Sequence, residues 1–253
     1  MKKCRVLNID ILDINKEILL EQLNRGVLFT PNVDHLVKLQ KDKEFYKAYQ
    51  KADFVVCDSV VLKLFSFILR KNRIGNIVPG SSFFPSFYNY HKENSHIKIF
   101  LLGAADGVAL EAKKRINQSV GRDIVVGAHS PSFGFEKDVL ECNQIIEMVN
   151  NSLATVLVVG LGAPKQEKWI MKYKEQFDKI DIFLALGATI DFEAGNVKRA
   201  PMIFRRFALE WLYRICQEPK RLWKRYFVED MSFFSLIIKQ FIGIYKNPFD
   251  KNY

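Results

Sequence analysis

The sequence predicts an α/β protein: a parallel-sheet, Rossmann-like core carrying a basic helical C-terminal appendage. Three observations predict it. Two short apolar runs, Val156–Val159 and Ile182–Leu186, run straight into glycine, at Gly160-Leu161-Gly162 and at Gly187. Between them lies a helix-like segment with its charged residues on one side, so the two runs read as parallel strands that end at the same sheet edge. Upstream, strand-like and helix-like segments alternate throughout, the pattern of a parallel sheet covered by helices. Ligands of open α/β sheets bind at the carboxyl edge of the strands. The loop holding Gly160, Gly162, Pro164, Lys165 and Gln166 is therefore the first candidate site. Its glycines let backbone approach a ligand, and the helix N-terminus that follows favours anions. A phosphorylated nucleotide fits both features.

In chain order, residues 4–13 read as a strand or hairpin arm. Asn15 to Arg25 reads as a helix with Ile18, Leu19 and Leu23 on one face, ended by Gly26. Val27–Phe29 is a short strand delivering Thr30-Pro31-Asn32, ahead of a helix from Val33 to Ala52. Thr30 and Asn32 suit either helix capping or a ligand. Asp53–Cys57 is the next strand, and it delivers Asp58-Ser59. A carboxylate at the carboxyl end of a parallel strand is placed for chemistry; the alternative is an N-cap for the apolar helix that starts near Val60. Val60–Leu69 and the aromatics Phe83, Phe84, Phe87, Tyr88 and Tyr90 read as core or as a lipid-facing lip, with Val78–Ser82 a turn between them. Ile97–Leu102 is a strand, Gly103–Gly107 a second glycine loop, and the helix after it ends near Gly121. Asp123–Gly127 is a strand, His129–Phe135 a loop, and Val139–Ser152 a helix.

After Pro201 the pattern changes. Met202–Gln217 reads as a helix with Trp211 and Tyr213 among arginines, and Pro219 breaks it. The tail from Phe233 to Ile244 reads either as an amphipathic interfacial segment or as part of a helical pair packed on the core. The chain therefore divides into residues 1–197, an α/β domain, and residues 198–253, an appendage.

At 253 residues the length fits one large domain with an appendage. The net charge of +10 is concentrated. Nine basic residues stand against two acids between Lys198 and Arg225, a window of +7. Such a patch expects a phosphate-rich partner: nucleic acid, anionic lipid or pyrophosphate. The four cysteines lack metal-ligand spacing and read as reduced thiols of a cytosolic protein. Asp10 and Asp13 interrupt any N-terminal apolar run, so no signal peptide is expected. No stretch reaches the ~20 apolar residues of a bilayer span.

Several chemistries are excluded by pattern. A dinucleotide fold wants GxGxxG and an acid at the end of the next strand; here the loop reads GLGAPK and the next strand ends at Gly187. No Walker sequence, HExxH or Asp-x-Asp pair is present, so no metal and no cofactor are expected. A leaving diphosphate would then be stabilised by backbone amides, lysines and arginines.

The segments GLGAPKQEKWI, GATIDFEAGNVKRAP and LEWLYRICQEPKRLWKRY resemble the WecG/TagA/CpsF family of bacterial glycosyltransferases, and TPNVDH, Asp58 and LLGAADG agree with it. The resemblance covers nearly the whole chain. It implies an inverting, metal-independent transfer of an N-acetylmannosamine-like or related sugar from a UDP-sugar to a polyprenyl-diphosphate-linked sugar. The setting it implies is cell-wall (teichoic acid) or surface-polysaccharide synthesis, with the protein peripheral on the cytoplasmic face of the membrane. Carried onto this chain, Asp58 is the general base. Thr30 and Asn32 line the sugar pocket. Gln166 contacts the donor, with Gly160, Gly162, Pro164 and Lys165 near its diphosphate, Gly187 alongside, and Asp191 on the nucleoside. Arg214, Arg221 and Lys224 or Arg225 grip the lipid diphosphate. Departures from the family pattern fall at Ser59, Ile77 and Ser82, with Arg73 close by as a substitute; they bear on which sugar is moved. The rival reading is a non-catalytic basic module in which Trp211, Tyr213 and Trp223 stack on nucleic acid; a UDP-sugar binder without turnover is a third. With the family resemblance, no nucleic-acid partner is expected. Oligomeric state is left open, a homo-oligomer included.

Overall fold

The computed structural model describes residues 2–197, residue 213 and residues 230–250, with side chains 70–72 outside that description. Six parallel strands form one sheet in the order β4-β3-β8-β7-β5-β6. They are β3 (Gly26–Phe29), β4 (Phe54–Val55), β5 (Ile99–Gly103), β6 (Val125–His129), β7 (Val156–Gly160) and β8 (Ile182–Ala185). An antiparallel hairpin, β1 (Lys2–Val6) and β2 (Ile9–Asp13), is attached through a parallel bridge between Leu12 and Val56.

The strands are apolar at nearly every position because both sheet faces are covered. Leu157, Val159, Phe183 and Ala185 point into one core layer, with Trp169, Ile170 and the hairpin residues. Val156, Val158, Ile182 and Leu184 point into the other, with Phe83, Phe84, Phe87 and Ile116. The register places Phe29 beside both Val55 and Ala185, Val159 beside Ala185, and Gly103 beside Gly160. The carboxyl ends of five strands thus lie at one level, and the loops that follow them share an edge.

Helices α1 (Lys16–Gln22), α2 (Val33–Lys38), α3 (Lys43–Gln50), α4 (Val60–Ser66), α5 (Gly80–Tyr90), α6 (Val108–Val120), α7 (Val139–Asn151), α8 (Lys165–Tyr173) and α9 (Thr189–Glu193) fill the connections. Three expectations are corrected. Gly26 does not end α1, which stops at Gln22; it opens β3 with φ +112°, where an added Cβ would lie 2.7 Å from Asp53 Oδ2. The single helix expected from Val33 to Ala52 is two, because the Asp42 side chain accepts the Phe45 N–H and caps a new start. Val78–Ser82 is not simply a turn: Pro79 takes the cap position and α5 begins at Gly80, a place where proline's fixed φ is compatible with helix entry.

A tenth described helix, α10 (Ser232–Phe241), packs on the first core layer. Phe233 and Ile237, one turn apart, are fully buried. Phe65 meets Phe233 and Phe234 at 5.9 and 4.8 Å between ring centroids. The Leu7 N–H donates to Gln240 Oε1 at 2.8 Å, and Gln240 Nε2 donates to the Arg5 carbonyl at 3.0 Å. Of the two readings of this segment, packing against the core is the one its inner face adopts, while Ile238, Phe241 and Ile242 point outward. No helix among the described residues is long and apolar enough to cross a membrane.

Candidate active site

The loops after β3 and β4 bring the first group of side chains together. Thr30 is buried at the end of β3. Asn32 Oδ1 accepts the His35 N–H at 3.2 Å and caps α2. The Pro31 carbonyl accepts the Asp58 N–H at 3.1 Å, which draws the β4 end alongside. The Asp58 side chain is not the cap of α4; Ser59 is, accepting the Leu62 N–H at 3.2 Å. Asp58 Oδ1 instead accepts the Gly80 N–H at 2.9 Å, so the turn before α5 holds the half-buried carboxylate. The Val78 N–H to Cys57 carbonyl bond, 2.7 Å, fixes that turn against β4. Burial pushes the Cys57 thiol up to about 12, which leaves it an inert neighbour.

The loops after β7 and β8 form the second group. Gly160 is demanded by close approach: an added Cβ would stand 2.7 Å from the Gly187 carbonyl and 2.9 Å from Ile190 Cδ1. Gly162 (φ +76°) and Gly187 (φ +57°) face open space. Ala163-Pro164 is a cis peptide. Gln166 is 2% exposed, and its Oε1 accepts both the Gly162 and the Gly187 N–H at 3.1 Å. One buried amide therefore ties the two loops together. Lys38 Nζ bridges from α2, bonding Asp34 at 2.8 Å and the Ala163 carbonyl at 3.2 Å. Lys165 turns to Glu136, Nζ to carboxylate 2.9 Å, and lies 4.9 Å from the Phe133 ring centroid. Asp191 sits half-buried in α9, its carbonyl accepting the Asn196 and Val197 N–H groups.

Glu167 is fully buried, and desolvation raises its carboxyl to about 7 against the pull of its hydrogen bond from Gln166. Burial likewise pushes Tyr49 well above its ordinary value, reinforced by the charges of Glu167, Asp58 and Asp34. Tyr49 Oη pairs with His35 Nδ1 at 2.7 Å. The Tyr49 phenol thus lies within the field of three carboxyl groups, those of Glu167, Asp58 and Asp34.

Of the residues expected from sequence, Thr30, Asn32, Asp58, Gly160, Gly162, Pro164, Gln166 and Gly187 share the carboxyl edge of the sheet. Lys165 is at that edge but paired with Glu136, and Asp191 follows Gly187 in α9. Arg214, Arg221, Lys224 and Arg225 lie outside the described residues. The sequence reading did not include the Gly80 N–H that holds Asp58, nor Lys38 and Glu167. Glu167, in the first turn of a helix, carried the one available signal, an acid directly after Gln166; by itself it reads as a solvated, dipole-favoured position. The Gly103–Gly107 loop also reaches this edge, the Ala104 N–H donating to the Gly160 carbonyl at 3.2 Å.

A family model described as Glycosyl transferase WecG/TagA/CpsF family matches residues 4–247. The chain is 29% identical over 206 residues to a Bacillus spizizenii protein named N-acetylglucosaminyldiphosphoundecaprenol N-acetyl-beta-D-mannosaminyltransferase, covering 81% of this chain and 76% of that one. It is 27% identical over 202 residues to proteins of the same name from two Staphylococcus aureus strains, MW2 and NCTC 8325, covering 80% of this chain and 76% of each.

Proposed function

The chain belongs to the WecG/TagA/CpsF family of glycosyl transferases, and we propose that it moves an N-acetylmannosamine-like sugar from UDP to a polyprenyl-diphosphate-linked sugar with inversion and without a bound metal. The observation that carries the reading is the meeting, at one sheet edge, of Asp58 on the Gly80 N–H and the two glycine loops held by Gln166. The names of the relatives support the acceptor class. The absence of an Asp-x-Asp pair from the sequence supports diphosphate stabilisation by protein groups.

In this mechanism the acceptor hydroxyl oxygen attacks C1 of the donor sugar. The new O–C1 bond forms as the C1–O bond to UDP breaks, and the diphosphate leaves with the electron pair. Asp58 takes the hydroxyl proton as general base. The hydrogen bond from Gly80 fixes the carboxylate plane, so that no reorientation is needed when the proton moves. Thr30 and Asn32 border the sugar, with the Asn32 amide shared between capping α2 and the substrate. The Gly160–Pro164 backbone lies along the diphosphate, Lys165 adds its field from beyond Glu136, and Asp191 serves the nucleoside. Gln166 acts on the donor through the loops that it joins.

Residues 1–197 form the catalytic unit in this reading. Residues 198–253 close the site at the inner membrane face, with Arg214, Arg221 and Arg225 on the acceptor diphosphate. The outward apolar side chains of α10, together with exposed Leu64 and Phe67, support peripheral membrane contact. The test is a donor screen: full-length protein, a short-chain polyprenyl-diphosphate-GlcNAc acceptor, a panel of UDP-sugars, and EDTA. A disaccharide product from one donor is expected. Failure to bind UDP sinks the reading, and binding without product from any donor makes the chain a non-transferring UDP-sugar binder.

A further inference from the structure

One oxygen, Gln166 Oε1, accepts two backbone N–H groups from two different loops. That arrangement holds only while the amide presents oxygen to the loops and nitrogen away from them. Turned over, its NH2 would face two N–H donors and leave all of them unsatisfied in a buried setting. The nitrogen side is fixed by Glu167, whose Oε1 accepts from Gln166 Nε2 at 2.9 Å. His35 is a poorer partner for the same carboxyl: its Nδ1 is 4.0 Å away and engaged with Tyr49 Oη at 2.7 Å. Glu167 Oε2 has no hydrogen-bond partner among the described residues. A half-satisfied acid in the core is costly, and an apolar side chain would serve packing better. An acceptor for Gln166 Nε2 accounts for a polar side chain at this position.

We propose that Glu167 is a positioning residue for the donor site: it sets the orientation of the Gln166 amide and, through it, the spacing of the loops that end β7 and β8. The inference rests on the reading of that edge as the UDP-sugar site.

The test is UDP affinity by calorimetry, with donor and acceptor KM and kcat, on the full chain. Glu167→Gln keeps an acceptor oxygen toward Gln166 and should hold UDP affinity within about twofold. Glu167→Leu removes it, and UDP affinity should fall about tenfold, with donor KM rising in step and acceptor KM steady. A purely structural role would lower the melting temperature and kcat and leave donor KM unchanged. Should Glu167→Leu not fold, Q166E and Q166E/E167Q carry the test. In the double variant the carboxylate at 166 accepts both N–H groups and the amide at 167 donates to it, so the affinity lost in Q166E should largely return. Equal UDP affinity in Glu167→Leu and the parent protein, or a double variant no better than Q166E, overturns the inference. A parent protein that does not bind UDP overturns the donor reading itself, and the inference with it.

Discussion

The two halves of the carboxyl edge work with different parts of the chain. On the β3/β4 side the groups that face the site are side chains, Thr30, Asn32 and Asp58, and backbone serves to hold them, as the Gly80 N–H holds the Asp58 carboxylate at 2.9 Å. On the β7/β8 side the roles are reversed. Glycine backbone faces open space at Gly162 and Gly187, and a buried side chain, Gln166, holds it. Under the proposed function the difference matches the two tasks. Proton transfer needs one titratable group at a defined place, whereas a diphosphate is best met by several N–H dipoles that cost no reorganisation. The division implies that the two halves can be damaged separately.

The largest effect should come from Asp58→Ala. Turnover should fall by about 10³-fold while UDP affinity stays within about twofold; a matching loss of UDP affinity would mean that the halves are not separate. Glu167 sharpens the contrast through pH. Its carboxyl is raised to about 7 in the folded chain, so between the ordinary glutamate range near 4.5 and 7 the unfolded state loses its proton first. Stability therefore falls as pH rises through that window, by up to about 3 kcal/mol. Glu167→Gln should lack that fall, seen as a gain in relative melting temperature from pH 5 to 8; parallel pH curves would place the Glu167 carboxyl in its ordinary range. Gly160→Ala forces a methyl against the Gly187 carbonyl, and donor KM should rise about tenfold with acceptor KM little changed, at a stability cost of about 1–3 kcal/mol. An equal rise in both KM values would show the β7 loop shaping the acceptor side as well. Lys165→Ala should do least. The lysine is half-exposed and paired with Glu136, and such pairs contribute about 1 kcal/mol or less, so UDP affinity should change less than about threefold; a tenfold loss would put its ammonium on the diphosphate.

The parts legible in the sequence share one property: they are continuous apolar runs or the residues delivered at their ends. The strand runs that finish at Gly160 and Gly187, and the strand end carrying Asp58, were all readable because burial on both faces forces continuous apolar runs. What was not readable is contact between backbone and distant side chains. Nothing in Pro79-Gly80 announces that the Gly80 N–H will meet Asp58, because every residue but proline carries that donor. Asp42 looks like one more polar residue within a helix until its side chain turns back on Phe45. Gln166 and Glu167 occupy a polar first turn, the place where solvated residues are ordinary, and only the folded chain buries them. Site chemistry was thus legible at the ends of apolar strands, and hidden where it rests on contacts made only in the folded chain.

The docking of α10 has a consequence for how the protein is made. Leu7 and Gln240, bonded at 2.8 Å, are 233 residues apart in the chain. At translation rates of about 5–20 residues per second, Leu7 leaves the peptidyl-transferase centre roughly 10–50 s before its partner is synthesised. Throughout that interval the surface around Phe65, later met by Phe233 and Phe234, has no cover from α10. The sheet can assemble early, but this face of it is a nascent chain's exposed flank, the one on which a holdase chaperone would find its grip.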